Sequence, residues 1–108
     1  LDYIRQNYMK PVTLQAVARE VGISPFRVAH LVKDHTGKSI LQILDQIRVR
    51  QAQELLERTD KSCTDIAYAV GFGDQSYFIK HFRRLTGITP ARYRRRCHLP
   101  PPPKPVNA

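Results

Sequence analysis

Val17-Ala18-Arg19-Glu20-Val21-Gly22-Ile23 returns 49 residues later as Ile66-Ala67-Tyr68-Ala69-Val70-Gly71-Phe72. After one extra residue, Gly73, the echo continues at a shift of 50. Val28, Val32, Thr36 and Gly37 become Phe78, Phe82, Thr86 and Gly87. Each copy reads as a short helix, a glycine-containing turn and a longer second helix. Ala18 and Ala67 supply the small side chain that lets the two helices of a copy cross closely. One such pattern arises by chance in any helical hairpin; two copies in one chain decide the fold.

Capping signals around the repeat complete an all-α reading, because no segment alternates as a strand would. Tyr3 to Met9 is predicted as a first helix, ended before Pro11. Thr13 caps Leu14 to Val21. Ser24-Pro25 joins a serine cap to a proline at the first helical position, and that helix ends at Gly37. Ser39-Ile40-Leu41-Gln42 reads as a capping box opening a long helix to about Arg58, and Ser62-Cys63-Thr64-Asp65 as a second box with Asp for Glu. Asp74 caps a helix ending at Gly87, and Thr89-Pro90 opens the last, through about Arg96. Seven helices therefore form two helix-turn-helix units, about 13–37 and 62–87. A linker helix at about 39–58 joins them, and a last helix at about 89–96 closes a domain of residues 1–97. The proline-rich tail, 98–108, is expected to be disordered.

Composition narrows the partner. Lys and Arg number 18 against 9 Asp and Glu, a formal charge of +9. From Gln75 onward there are eight basic residues and no acid. Such a one-signed pole suits phosphate or an anionic membrane. No apolar run approaches the roughly 20 residues of a spanning helix, so no membrane partner is expected. Cys63 and Cys97 stand far apart, and His30, His35, His81 and His98 share no ligand spacing. No metal, disulfide framework or cofactor is expected. Neither cysteine has a paired base in sequence, so no catalytic residue is expected either. The setting inferred is reducing and cytoplasmic. A start at Leu1 without Met suggests a piece of a longer protein.

Helical periodicity sorts the second helix of each unit into faces. Val28, Leu31 and Val32 are expected to face inward, as are Phe78, Phe82 and Leu85; His35 and His81 also fall toward the core side. Phe26, Ala29, His30 and Lys33 lie opposite, equivalent under the repeat to Ser76, Ile79, Lys80 and Arg83. In a helix-turn-helix the N-terminal part of the second helix enters the major groove. Phe26, Ala29 and His30, with Gln75, Ser76, Ile79 and Lys80, are therefore candidates for contact with bases. Gln75 suits an adenine edge and Lys80 guanine O6/N7, while Phe26, Ala29 and Ile79 can read only thymine methyls or shape. Packing on neighbouring helices is the competing reading for Phe26 and Ile79. Lys33, Arg83 and Arg84 sit further along and are candidates for phosphate. An apolar stripe of Leu41, Leu44, Ile47, Ala52 and Leu55 is expected to pack the linker helix on both units. That helix spans roughly 27 Å against about 34 Å for a turn of DNA, so a bent DNA or one incompletely docked unit is expected.

The stretches Arg50-Gln51-Ala52-Gln53-Glu54-Leu55-Leu56, Asp65 to Phe72, Gln75-Ser76-Tyr77-Phe78 and Phe82 to Pro90 with Tyr93-Arg94 closely resemble the signature of AraC/XylS-type transcription regulators. Ala18 to Pro25 and Lys33 to Gly37 carry a weaker match in the first half. The resemblance implies a seven-helix domain that reads two adjacent major grooves of double-stranded DNA, with the base and phosphate residues named above in those roles and with Arg27 and the helix N-termini at Ser39 and Thr89 also on phosphate. It further implies transcription activation through RNA polymerase, with an effector-sensing or dimerising domain elsewhere in the protein. Polar residues are common in this family where Ala29 and Ile79 stand, and Arg where His30 stands. The alternatives are a protein-interaction module or a nonspecific basic DNA-binding module. The first would be marked by acidic or bulky residues on the outward stripes, and the second unit instead keeps Gln75, Ser76, Lys80 and Arg83.

Overall fold

In a computed structural model, which describes residues 2–98, the chain forms seven helices and no strand. They are α1 (Asp2–Asn7), α2 (Leu14–Val21), α3 (Pro25–Thr36), α4 (Ile40–Arg58), α5 (Cys63–Ala69), α6 (Gln75–Thr86) and α7 (Pro90–Cys97). Six of the seven starts are capped by the residue the sequence nominates for it. Thr13, Ser24, Ser39, Ser62, Asp74 and Thr89 each accept a hydrogen bond from a backbone N–H in the first turn that has no partner within the helix. Ser39 and Gln42 close the reciprocal box. At Ser62 only the forward bond forms, to the Asp65 N–H at 3.0 Å. The tail from Leu99 lies outside the described residues.

Two cores correspond to the two units. Ile4, Val17, Ala18, Val28, Ile40 and Leu44 bury one; Val49, Ala52, Leu56, Ile66, Ala67, Val70, Phe72, Phe78 and Phe82 bury the other. The repeat extends to the turns: the Ile23 N–H reaches the Ala18 carbonyl at 3.2 Å, and the Phe72 N–H reaches that of Ala67 at 2.8 Å. α4 contributes to both cores, with Ile40 and Leu44 at one end and Val49, Ala52 and Leu56 at the other.

Between these two sets the buried stripe of α4 carries Asp45 and Arg48, 2% and 7% exposed. Burying a charge is costly without partners, and here the partners come from both units. Arg48 donates from Nε to the Tyr8 carbonyl (2.7 Å) and from Nη2 to that of Lys10 (2.9 Å). Its guanidinium lies 5.7 Å from the Phe72 ring centroid. Asp45 Oδ2 accepts from the Tyr77 hydroxyl at 3.0 Å. Burial pushes Arg48 below its usual range, against the opposing charge of Asp45. Burial, then the bond to Asp45, pushes the Tyr77 phenol up, which keeps it a neutral donor. His81 Nδ1 lies 3.6 Å from Asp45 Oδ2, too far for a hydrogen bond, and it and Asp45 Oδ1 are buried without partners.

Four expectations are corrected. The first helix ends at Asn7 rather than Met9, because the Tyr8 and Lys10 carbonyls turn toward Arg48. The stripe of α4 is rotated from the one expected: Leu41 is 56% exposed, while Ile47 and Leu55 are half-buried. Asp45 and Arg48 lie on the buried side with Leu44, Val49 and Ala52. Leu31 and Leu85 are exposed, at 37% and 45%. His35 is also exposed, whereas His81 is half-buried as expected. The inward strip of each second helix is a single i, i+4 file, Val28–Val32 or Phe78–Phe82. Leu31 sits about 60° to 100° off that file at an open flank, whereas Asp45 and Tyr77 cover the repeat-equivalent flank that holds His81. His35 and Leu85 lie within about 20° of the file but in the last turn of their helices, where they are exposed.

Candidate nucleic-acid interface

α3 and α6 each present an outward stripe beside the N-terminus of the following helix. Phe26, Ala29, His30, Lys33 and Ser39 line an open groove in the first unit; Ser76, Ile79, Lys80, Arg83 and Thr89 line one in the second. Every member of the second set is the first set's residue shifted by 50. The two grooves are one surface built twice, with different chemistry.

The first groove is apolar. Phe26 is 81% exposed, which removes the packing reading for it. Val12, Leu14, Ile40 and Leu41 complete the lining. His30 is held along the stripe, its ring near-parallel to Phe26 (centroids 6.3 Å, 9° between planes) and its Nε2 3.4 Å from Asp34 Oδ2. Asp34 occupies the place of Arg84, so one exposed carboxylate lowers the positive charge of this unit's second helix.

The second groove is basic. Lys80, Arg83 and Arg84 are exposed, and neither α6 nor α7 carries an acid. Ile79 is half-buried against the second core, so packing accounts for part of its side chain. Gln75 is exposed, and its Oε1 accepts from the Thr64 hydroxyl at 2.9 Å, leaving the amide NH2 free to donate outward. Thr64 is thus an orienting residue, one helix away, that periodicity within α6 cannot reveal.

The helix N-termini differ as well. In α4 the capping box occupies the Ser39 N–H with Gln42 Oε1 at 2.8 Å, which leaves the Ile40 and Leu41 amides. In α7 Pro90 has no N–H, so the first turn offers Ala91. Of the arginines at the C-terminus, Arg94 is engaged internally: its Nε and Nη2 reach the Leu56 and Thr59 carbonyls at 3.3 and 3.1 Å, closing the end of α4. Arg92, Arg95 and Arg96 are exposed. Tyr93 donates to Glu57, and burial together with that bond pushes its phenol well above the usual range. Cys63 is half-buried beside the second core and Cys97 is exposed. Among the described residues no three potential ligands gather around a metal position, and no helix is long and apolar enough to cross a membrane.

A pair of helix-turn-helix units sharing one connecting helix, each with an open groove along its second helix, defines the class: a tandem helix-turn-helix domain. Residues 17–96 match the model of a family described as a helix-turn-helix domain. Bifunctional transcriptional activator/DNA repair enzyme AdaA of Bacillus subtilis is 36% identical over 93 residues, covering 86% of this chain and 44% of that protein. The arabinose operon regulatory protein of Escherichia coli is 36% identical over 84 residues, 78% of this chain and 29% of that protein. Among solved structures, the C-terminal domain of AraT, a response regulator from Geobacillus stearothermophilus, has a TM-score of 0.86 at 31% identity, covering 95% and 86% of the two chains. The DNA-binding domain of the global transcriptional factor AdpA, solved in complex with a target DNA, has a TM-score of 0.83 at 30% identity, covering 88% and 86%. The chain belongs to the AraC/XylS-type family of helix-turn-helix transcription regulators. It spans about a quarter to a half of the length of the curated relatives it matches.

Proposed function

We propose that this chain binds double-stranded DNA sequence-specifically, inserting α3 and α6 into adjacent major grooves, to regulate transcription. The observation that carries the reading is the pair of repeat-related grooves, open and exposed beside the two second helices. Support comes from relatives named as transcription regulators and from a similar domain solved on its target DNA. Phe26, Ala29 and His30 read one groove by apolar contact and shape, with Leu41 at its wall. Gln75, Ser76, Ile79 and Lys80 read the other, chiefly by hydrogen bonds. Arg27, Lys33, Arg83 and Arg84 hold phosphates, and the amides behind Ser39 and Thr89 add helix N-termini to them. At 19 residues, roughly 28 Å, α4 is shorter than one DNA turn, so the DNA curves toward the protein or the weaker first unit docks partially. Transcription activation through contact with RNA polymerase, a separate effector or dimerisation domain, and a cytoplasmic location complete the proposal.

Selection from a random duplex pool, followed by footprinting at two salt concentrations, tests it. Two enriched boxes about one helical turn apart, with affinity falling steeply in salt, are expected. Salt-sensitive binding without enrichment would leave only a nonspecific basic module. Within the selected site, Lys80→Ala is expected to lose about 1–3 kcal/mol of discrimination at one guanine, roughly 5- to 150-fold, and to relax preference there. Arg83→Ala is expected to weaken all sequences alike and to lower the salt slope by about 1. Titrations of single-base variants at two salt concentrations separate the two behaviours.

A further inference from the structure

We infer that the turn of α4 carrying Asp45 and Arg48 sets the half-site spacing the chain accepts, with Arg48 as the positioning residue; this rests on the two-unit DNA reading proposed above. Each unit has its own core, so the angle between the reading helices is fixed where the units meet. They meet at Arg48. Its fork holds the Tyr8 and Lys10 carbonyls in the loop that leads into the first unit. Its guanidinium carbon lies over the ring of Phe72, in the second unit's turn, 5.7 Å from the centroid. Gly71 in that turn lies so close to the same loop that an added Cβ would sit 2.4 Å from the Tyr8 carbonyl oxygen. One turn earlier, Asp45 holds the Tyr77 hydroxyl in the first turn of α6. One face of α4 thus grips the entry loop of one unit and the reading helix of the other. Arg48 is only 7% exposed, with its donors directed inward, so this role is separate from DNA contact. Arginine suits it because a rigid fork satisfies two carbonyls at once, whereas lysine presents a point charge on a flexible stem.

One added base pair turns the second box by about 34° and moves it by about 3.4 Å relative to the first. A stiff junction meets that change by losing contacts; a loosened one follows it. Arg48→Lys and Tyr77→Phe are to be titrated on the selected site, on the same site with one base pair added or removed between the boxes, and on DNA carrying the second box alone. In the wild type a spacing change is expected to cost 10-fold or more. In Arg48→Lys that ratio should fall to 3-fold or less, with binding to the second box alone unchanged. Tyr77→Phe, which removes a single hydroxyl, should move the ratio the same way and stands as the deciding variant if Arg48→Lys does not melt cooperatively. An undiminished spacing penalty in the folded variants overturns the inference. Wild-type indifference to spacing would instead overturn the two-unit reading beneath it.

Discussion

Gly71→Ala is expected to lose about 3–5 kcal/mol of folding stability. Two costs combine. Gly71 has a φ of +100°, where an alanine is strained by about 1–3 kcal/mol. The new Cβ would stand 2.4 Å from the Tyr8 carbonyl oxygen and 2.9 Å from Arg48 Nε. That carbonyl cannot retreat freely, because it holds Arg48 at 2.7 Å, and a hydrogen bond to a charged group contributes about 1.5–3 kcal/mol. A small domain has about 5–15 kcal/mol in all, so the melting temperature should fall by about 15 °C or more. Gly22, at the same place in the first repeat, is the internal comparison. Its φ is +76°, but nothing lies within 4 Å of its added Cβ, so Gly22→Ala carries only the backbone cost of about 1–2 kcal/mol. Thermal melts of both variants decide the cause: equal midpoints would eliminate the close approach between the units as the source of the loss.

The second large effect separates folding from binding with two phenylalanines. Phe82 is fully buried, edge-on to Phe78 and Tyr93 at centroid distances of 5.7 and 5.5 Å. Phe82→Ala should cost about 3–5 kcal/mol through lost contact and the cavity left behind. Phe26 is 81% exposed at the start of a reading helix, and Phe26→Ala should leave stability within about 0.5 kcal/mol of wild type. Its effect should fall on the selected DNA site, where losing part of an aromatic burial weakens binding by about 1–2 kcal/mol, roughly 5- to 30-fold. Replacing thymine by uracil in the first box removes only methyl groups, at about 0.8 kcal/mol each. That loss should be seen with the wild type and be largely absent in Phe26→Ala. Additive losses from protein and base changes would place Phe26 away from the thymines.

The helices and their starts were legible because capping chemistry is local: a serine, threonine or aspartate next to a proline or a box partner specifies its own helix within four residues. The repeat was legible because it preserves spacing, and it placed the outward stripes of both second helices in equivalent positions. What escaped was set by partners distant in sequence. Asp45 and Arg48 lie among hydrophobic positions of α4, and only the loop after α1 and the hydroxyl of Tyr77 account for them. The inward assignment of Leu31, His35 and Leu85 failed because periodicity gives the direction of a face, whereas neighbouring helices decide its width, which leaves Leu31 outside, and its length, which leaves His35 and Leu85 uncovered in the last turn. Thr64 beside Gln75 and Asp34 beside His30 were missed differently. The first is a contact between helices, but the second is an i, i+4 pair that the sequence itself contains. Leu41 was also within reach, since it follows Ser39 at the helix start that the repeat pairs with Thr89.

The two grooves are lined by repeat-related positions but do not share a chemistry, and on the proposed two-groove reading this gives the bound DNA an arrow. A symmetric dimer reads a palindrome and is the same from either end. This chain, with an apolar groove at one end and a basic one at the other, has a single way round on its site. Inverting the site within a promoter would swing every other surface of the protein to face the opposite direction along the duplex, with no change in affinity. Orientation becomes a variable that the promoter sequence sets independently of binding strength.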